Sequence, residues 1–230
     1  MSTKPPPLLL AISDAPRAVL DAAFLSLAAP KLRRLPRAKE NHSVMVIPGF
    51  MGSDTGNQPL IRFLNGLGYT ATGWLQGRNL GPGSFAEEDL RGSIDELARA
   101  GGGKVSLVGH SLGGIYAREI ARMEPSAIHQ VITLGSPFGR GQDTGSHARR
   151  MYDRLNPEPN PRENADILDT PPPVPTTAIY TKADGIVNWK TSRQSGYYDH
   201  VDNIEVQGSH IGLNLNAAVW FWIARKLAAI

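Results

Sequence analysis

The chain has 230 residues, 41% of them hydrophobic, no cysteine and a formal net charge of +3. That length suits one α/β domain with a substantial core. The missing cysteines exclude disulfides, a cysteine zinc site and thiol catalysis, and so small and dispersed a positive charge leaves no footprint for nucleic acid.

The opening MSTKPPPLLLAISD holds an apolar run too short for a secretory h-region or a membrane span, so a cytoplasmic location is expected. Residues 15–35 place Val19, Ala23 and Leu27, with Leu20 and Phe24, on one helical stripe. The stripe ends in the basic stretch Lys31, Arg33, Arg34 and Arg37. This predicts a helix docked on the core by its apolar side; the alternative is a surface helix that touches anionic lipid through its basic end. Residues 1–42 are read as a helical extension packed on a single domain of residues 43–230.

From residue 43 short apolar runs alternate with helical stretches. SVMVI (43–47) reads as a buried strand, NQPLIRFLNGLG (57–68) as a helix stopped by glycine, and YTATGW (69–74) as a strand. SFAEEDLRGSIDELARAGGG places Ser84 and Glu87 in capping-box spacing and Leu90, Ile94 and Leu97 on one face. KVSLVG (104–109) is then a strand, GGIYAREIARM (113–123) a helix and QVITLGS (130–136) a strand. TTAIYT (176–181) and NIEVQ (203–207) follow as strands, and LNAAVWFWIARKLAAI is a closing helix. Strands that are apolar along their length and alternate with helices predict a mostly parallel central sheet covered by helices on both faces. Residues 138–175, rich in proline and polar residues, break the rhythm and read as a short cap or lid, with a helix over 148–155.

VSLVGHSLGG (105–114) sets Ser111 between a predicted strand and a predicted helix, with Gly109 and Gly113 two residues to either side. A nucleophile elbow requires that context, because side chains at those two positions would collide in so sharp a turn. The helix N-terminus behind it favours an anion forming at Ser111. A serine hydroxyl needs a base, and the base needs an acid to orient it. Asp184 follows the strand at 176–181, and His210 follows the strand at 203–207 in a Gly-Ser-His turn. His200, with Asp199 or Asp202, is the rival pair. His110 is read as structural, and His42, His129 and His147 as surface histidines.

The segments VIPGFMGS, VSLVGHSLGG, VITLGSPF, AIYTKADGIVNW and GSHIGL, in this order, make the chain resemble the α/β-hydrolases of the esterase and lipase branch over roughly residues 43–227. The resemblance implies an oxyanion hole from the N–H groups of Leu112 and Phe50, although Pro48 stands where lipases often carry histidine. It also implies an acyl-enzyme on Ser111, His210 as base and then acid, Asp184 as its orienting carboxylate, and no metal or organic cofactor. Met51, Phe138 and Trp189 are expected to line the site for a small-molecule or lipid-like ester. Arg78 and Asn79 are read either as ordering its floor by hydrogen bonds to neighbouring backbone or as plain loop residues. Acyl transfer or thioester hydrolysis would use the same groups, and a non-catalytic binding protein could keep the fold.

Overall fold

The computed structural model describes residues 4–39, 41–139, 145–157 and 168–230. Six strands form one all-parallel sheet: β1 (Ser43–Ile47), β2 (Thr70–Gly73), β3 (Val105–His110), β4 (Ile128–Leu134), β5 (Thr176–Tyr180) and β6 (Val201–Glu205). Their order is β2-β1-β3-β4-β5-β6. The helices are α1 (Leu8–Leu32), α2 (Asp54–Gly66), α3 (Glu87–Ala100), α4 (Leu112–Met123), α5 (Arg149–Leu155) and α6 (Ala217–Leu227).

Strand side chains alternate between faces, and both faces of the four inner strands are covered. Val44, Val46, Val108, Ile132 and Ile179 pack with Leu60 and Leu64 of α2, Leu25 of α1 and Val219, Trp220 and Ile223 of α6. Met45, Ile47, Leu107 and Val131 pack on the opposite face with Leu90, Ile94 and Leu97 of α3 and Ala117, Ile120 and Ala121 of α4. Two dry faces are why β1 and β5 are buried at every position and carry no charged residue.

The chain goes outward from β1 to β2 and then returns to place β3 on the other side of β1. Such a reversal opens a crevice at the carboxyl ends of the two strands, where open α/β sheets bind ligands. The loop after β1 and the turn after β3 meet there.

Two local expectations are corrected. The capping box does not form: Ser84 lies in a 3₁₀ turn, donates its hydroxyl to Gly81 O and accepts from Leu80 N–H at 3.0 Å, so α3 starts at Glu87 behind Ala86. And α1 docks by the wrong side for its pattern. Val19, Leu20, Ala23, Phe24 and Leu27 face solvent, while Asp14, Asp21, Leu25 and Leu32 are buried.

Candidate active site

β3 ends in a turn that leaves Ser111 at φ 50° and ψ −120°, a conformation an L-residue adopts only at a cost of about 1–3 kcal/mol. Its N–H is held by Leu134 O at 2.8 Å. A Cβ on Gly109 would come within 2.4 Å of Gly113 O, and one on Gly113 within 2.5 Å of Ile47 O, so backbone itself fills the space beside both glycines. α4 begins at the next residue, so its N-terminus lies behind the Ser111 hydroxyl.

His210 and Asp184 come from the loops that follow β6 and β5. His210 Nδ1 stands 2.6 Å from Asp184 Oδ2, and His210 Nε2 stands 3.1 Å from Ser111 Oγ. The other Asp184 oxygen accepts the N–H groups of Ile186 at 2.9 Å and Val187 at 2.7 Å, which fixes the carboxylate plane. Proton placement follows from the acceptors. Nδ1–H faces the carboxylate, and the lone pair on Nε2 faces the hydroxyl. Burial acts to lower the His210 pKa, but the charge and hydrogen bond of Asp184, with the charge of Asp14, outweigh it and raise it above the ordinary 6.5.

His110 packs its ring 5.2 Å from that of His210, and its Nε2 lies 2.9 Å from His210 O. Burial, then the nearby His210, push its pKa down to about 4, so it stays neutral and donates Nε2–H to that carbonyl.

The loop after β1 is set by contact with the elbow. A Cβ on Gly49 would lie 3.0 Å from Ser111 Cβ and 3.2 Å from His110 Nδ1. Asn79 then holds the loop from outside: its side-chain amide donates to Pro48 O at 2.8 Å, its N–H donates to Gly52 O at 2.9 Å, and its O accepts Met51 N–H at 2.7 Å. Arg78 donates to Met51 O at 3.1 Å. Among the described residues no hydrogen bond occupies the N–H of Phe50 or of Leu112.

A cavity of about 80 Å³ opens beside Ser111, walled by Phe50, Leu112, Ile115, Tyr152, Leu168, Ile186 and Val187. Tyr152 belongs to α5 and meets the Phe50 ring edge-on at 5.5 Å, so the insertion between β4 and β5 supplies one wall. Residues 140–144 and 158–167 of that insertion lie outside the described residues. Among the described residues no group of three His, Asp or Glu is placed to hold a metal ion.

A family model for the alpha/beta hydrolase family matches residues 44–228. The chain is an alpha/beta hydrolase. Human serine hydrolase BPHL is 33% identical over 106 residues, 42% of this chain and 36% of that protein. A triacylglycerol lipase of Pseudarthrobacter phenanthrenivorans is 39% identical over 63 residues, 27% of this chain and 19% of the lipase. The match thus spans about a third or less of these relatives' length. Among solved structures, one of the metagenome-derived lipolytic enzymes LipS and LipT superposes with a TM-score of 0.63 at 13% identity, covering 85% of this chain and 95% of the other. Alpha/beta hydrolase domain-containing protein 10 from mouse gives 0.56 at 21% identity over 84% and 90%. At such identities the likeness is one of fold.

What sequence reasoning missed in this alpha/beta hydrolase lies on α1, outside the stretch the family model matches. Asp14 is fully buried and accepts three backbone N–H groups: Gly185 at 2.9 Å, His210 at 3.0 Å and Ile211 at 2.9 Å. Arg17 pairs with it at 3.2 Å and reaches Ala183 O at 2.8 Å and Gly208 O at 3.2 Å. One turn on, Asp21 accepts Ser209 N–H at 2.9 Å, the Ser209 hydroxyl at 2.6 Å and the Asn216 amide at 3.0 Å. Asn216 also caps α6 by accepting from Ala218 and Val219 N–H, a contact worth about 1 kcal/mol. The loops of Asp184 and His210 are therefore both fastened to one helix. The only signal was an acid-base-acid spacing, Asp14, Arg17 and Asp21, on the side of α1 opposite its apolar stripe.

Other expected residues fall elsewhere. Phe138 is fully buried beneath the Arg118 guanidinium, 3.8 Å from its ring centroid, and packs with Leu168 and Ala178. Trp189 stacks on Tyr180 at 5.7 Å, and Met51 turns outward at φ 65°. None of the three lines the cavity beside Ser111. His200 precedes β6 at the opposite edge of the sheet and bonds Pro172 O at 3.1 Å, and Asp202 pairs with Lys226. His42 is not a surface residue: it is buried, 2.7 Å from Ser106 Oγ, and burial lowers its pKa to about 4.

Proposed function

We infer that this alpha/beta hydrolase cleaves carboxylic esters through an acyl-enzyme on Ser111. The observation that carries the reading is the unbroken run of contacts from Asp184 through His210 to Ser111 Oγ, next to two N–H groups with no other partner. His210 Nε2 takes the hydroxyl proton as Ser111 Oγ bonds to the carbonyl carbon, and the resulting oxyanion lies between the N–H groups of Phe50 and Leu112. Collapse breaks the bond to the leaving alkoxide, which takes the proton from His210. Water then gives a proton to His210 and attacks the acyl carbon, and Ser111 departs with that proton restored.

The apolar cavity walls favour an uncharged acyl group. A fluorophosphonate is expected to label Ser111, read by peptide mass spectrometry, and to stop hydrolysis of p-nitrophenyl butyrate in proportion. A protein that stays unlabelled and leaves the acetate to palmitate series intact would instead be a binding member of the fold.

A second apolar cleft, between α3 and α4, is lined by Phe85, Leu90, Tyr116 and Ile120 and shares Leu112 and Ile115 with the cavity at Ser111. If longer acyl chains run through that junction, Ile115→Phe narrows it. The variant is expected to lose about tenfold in kcat/KM for p-nitrophenyl octanoate relative to acetate. An unchanged chain-length profile would place the acyl group elsewhere.

A further inference from the structure

α1 turns a continuous apolar band to solvent. Leu8, Leu9, Ile12, Val19, Leu20, Phe24 and Leu27 are between 57% and 79% exposed, and they recur at helical spacing over a helix of 25 residues, about 37 Å long. An amphipathic helix ordinarily hides its apolar side. Here the polar side is hidden, because Asp14 and Asp21 bind the loops beneath it.

The exposed charges on residues 4–39 have one sign. Asp14 and Asp21 are the only carboxylates in residues 4–39, and both are buried. Lys4, Lys31, Arg33, Arg34, Arg37 and Lys39 are all exposed. Among the described residues none of Lys31, Arg33, Arg34 and Arg37 is paired with a carboxylate. At the basic end a groove of about 580 Å³ has Arg33, Arg37 and Arg62 on its rim and Leu25, Phe63 and Trp220 among its apolar walls. Three guanidinium groups above apolar walls suit a phosphate that carries hydrocarbon.

We propose that the outward face of α1 is a docking surface for an anionic lipid bilayer, with its apolar band in the headgroup boundary and Arg33, Arg34, Arg37 and Arg62 on lipid phosphates. A cationic helix with an apolar face is the form that lies in such an interface. No helix among the described residues is long and apolar enough to cross a membrane. α1 in particular has its other face committed to the protein. The band begins beside the cavity: Pro6 O accepts from His147 Nε2 at 2.8 Å, just ahead of α5. The amino end of the band thus lies near Ala148 and Arg149, which border the Ser111 cavity. The surface itself stands independently of the ester-hydrolase reading.

Deleting α1 would also release the His210 loop, so exposed positions are the ones to change. The full chain is sedimented with vesicles of phosphatidylcholine alone and with one-third phosphatidylglycerol, beside Leu20→Glu/Phe24→Glu and Arg33→Glu/Arg34→Glu/Arg37→Glu, with melting temperatures to check folding. Wild type is expected to bind the phosphatidylglycerol vesicles, to release them as salt rises, and to bind phosphatidylcholine weakly. The triple charge reversal is expected to cut partitioning about a hundredfold and the apolar pair at least about tenfold. Failure to bind at low salt, or binding that survives both variants, overturns the proposal. So does a dimer in ultracentrifugation that the Leu20→Glu/Phe24→Glu change disperses, since a second copy would then cover the band.

Discussion

Ser111→Ala is expected to lower kcat for p-nitrophenyl butyrate about a million-fold while the protein stays folded. In the proposed mechanism the loss is large because Oγ is the atom that would bond to the acyl carbon, and His210 would act on the ester only through it. Residual catalysis of about a thousandfold over water should persist from the N–H groups of Phe50 and Leu112. Ser111→Gly separates this loss from a folding defect. Ser111 holds φ 50°, which glycine adopts without strain. The glycine variant should therefore be as inactive as the alanine variant yet melt a few degrees higher, for about 1 kcal/mol of strain removed. More than 1% of wild-type activity in either would move the nucleophile away from Ser111.

Asp14→Ala is expected to destabilise the protein by about 3–5 kcal/mol, as removal of one member of a buried charged network does. It should also lower kcat about ten- to a hundredfold, because a small misplacement of the imidazole suffices. Asp14→Asn tests whether Asp14 positions and charges His210 or only holds α1 in place. The charged and titratable groups facing His210 are Asp184, Asp14 and the neutral His110. The proposed mechanism requires neutral His210, so kcat/KM should fall as pH drops through its raised pKa. Without the Asp14 charge that pKa is lower, and the acid limb of the profile should move to lower pH. A lower melting temperature with an unmoved limb and unchanged kcat would make Asp14 a structural residue only.

The sheet and the serine turn were legible for a physical reason. A strand covered on both sides carries no charge and few polar groups, as in SVMVI and TTAIY, and a turn as tight as that at Ser111 must have glycine where backbone fills the Cβ space. Asp184 and His210 followed from their places after strands. α1 was misread because periodicity shows that a helix has two unlike sides without showing which one meets the protein. Its true partners lie 171 to 197 residues away for Asp14 alone, and no local pattern records them. Phe138 was misplaced for a related reason: an aromatic residue at a strand exit reads alike whether it lines a cavity or fills a core, and the Arg118 that covers it comes from α4.

The fastening of α1 to the loops after β5 and β6 also orders events in time. Residues 8–32 leave the ribosome before any of the six strands, whereas the backbone groups that satisfy Asp14 and Asp21 are made only after β5. Until then Asp14 has only Arg17 of its own helix for a partner, and the loops that α1 fastens are not yet made. Closing so long a loop is entropically slow, and it comes after the nearer pairings have formed. The arrangement is expected to let the sheet condense first and to leave the His210 loop to take its final shape only when α1 folds back onto the loops after β5 and β6.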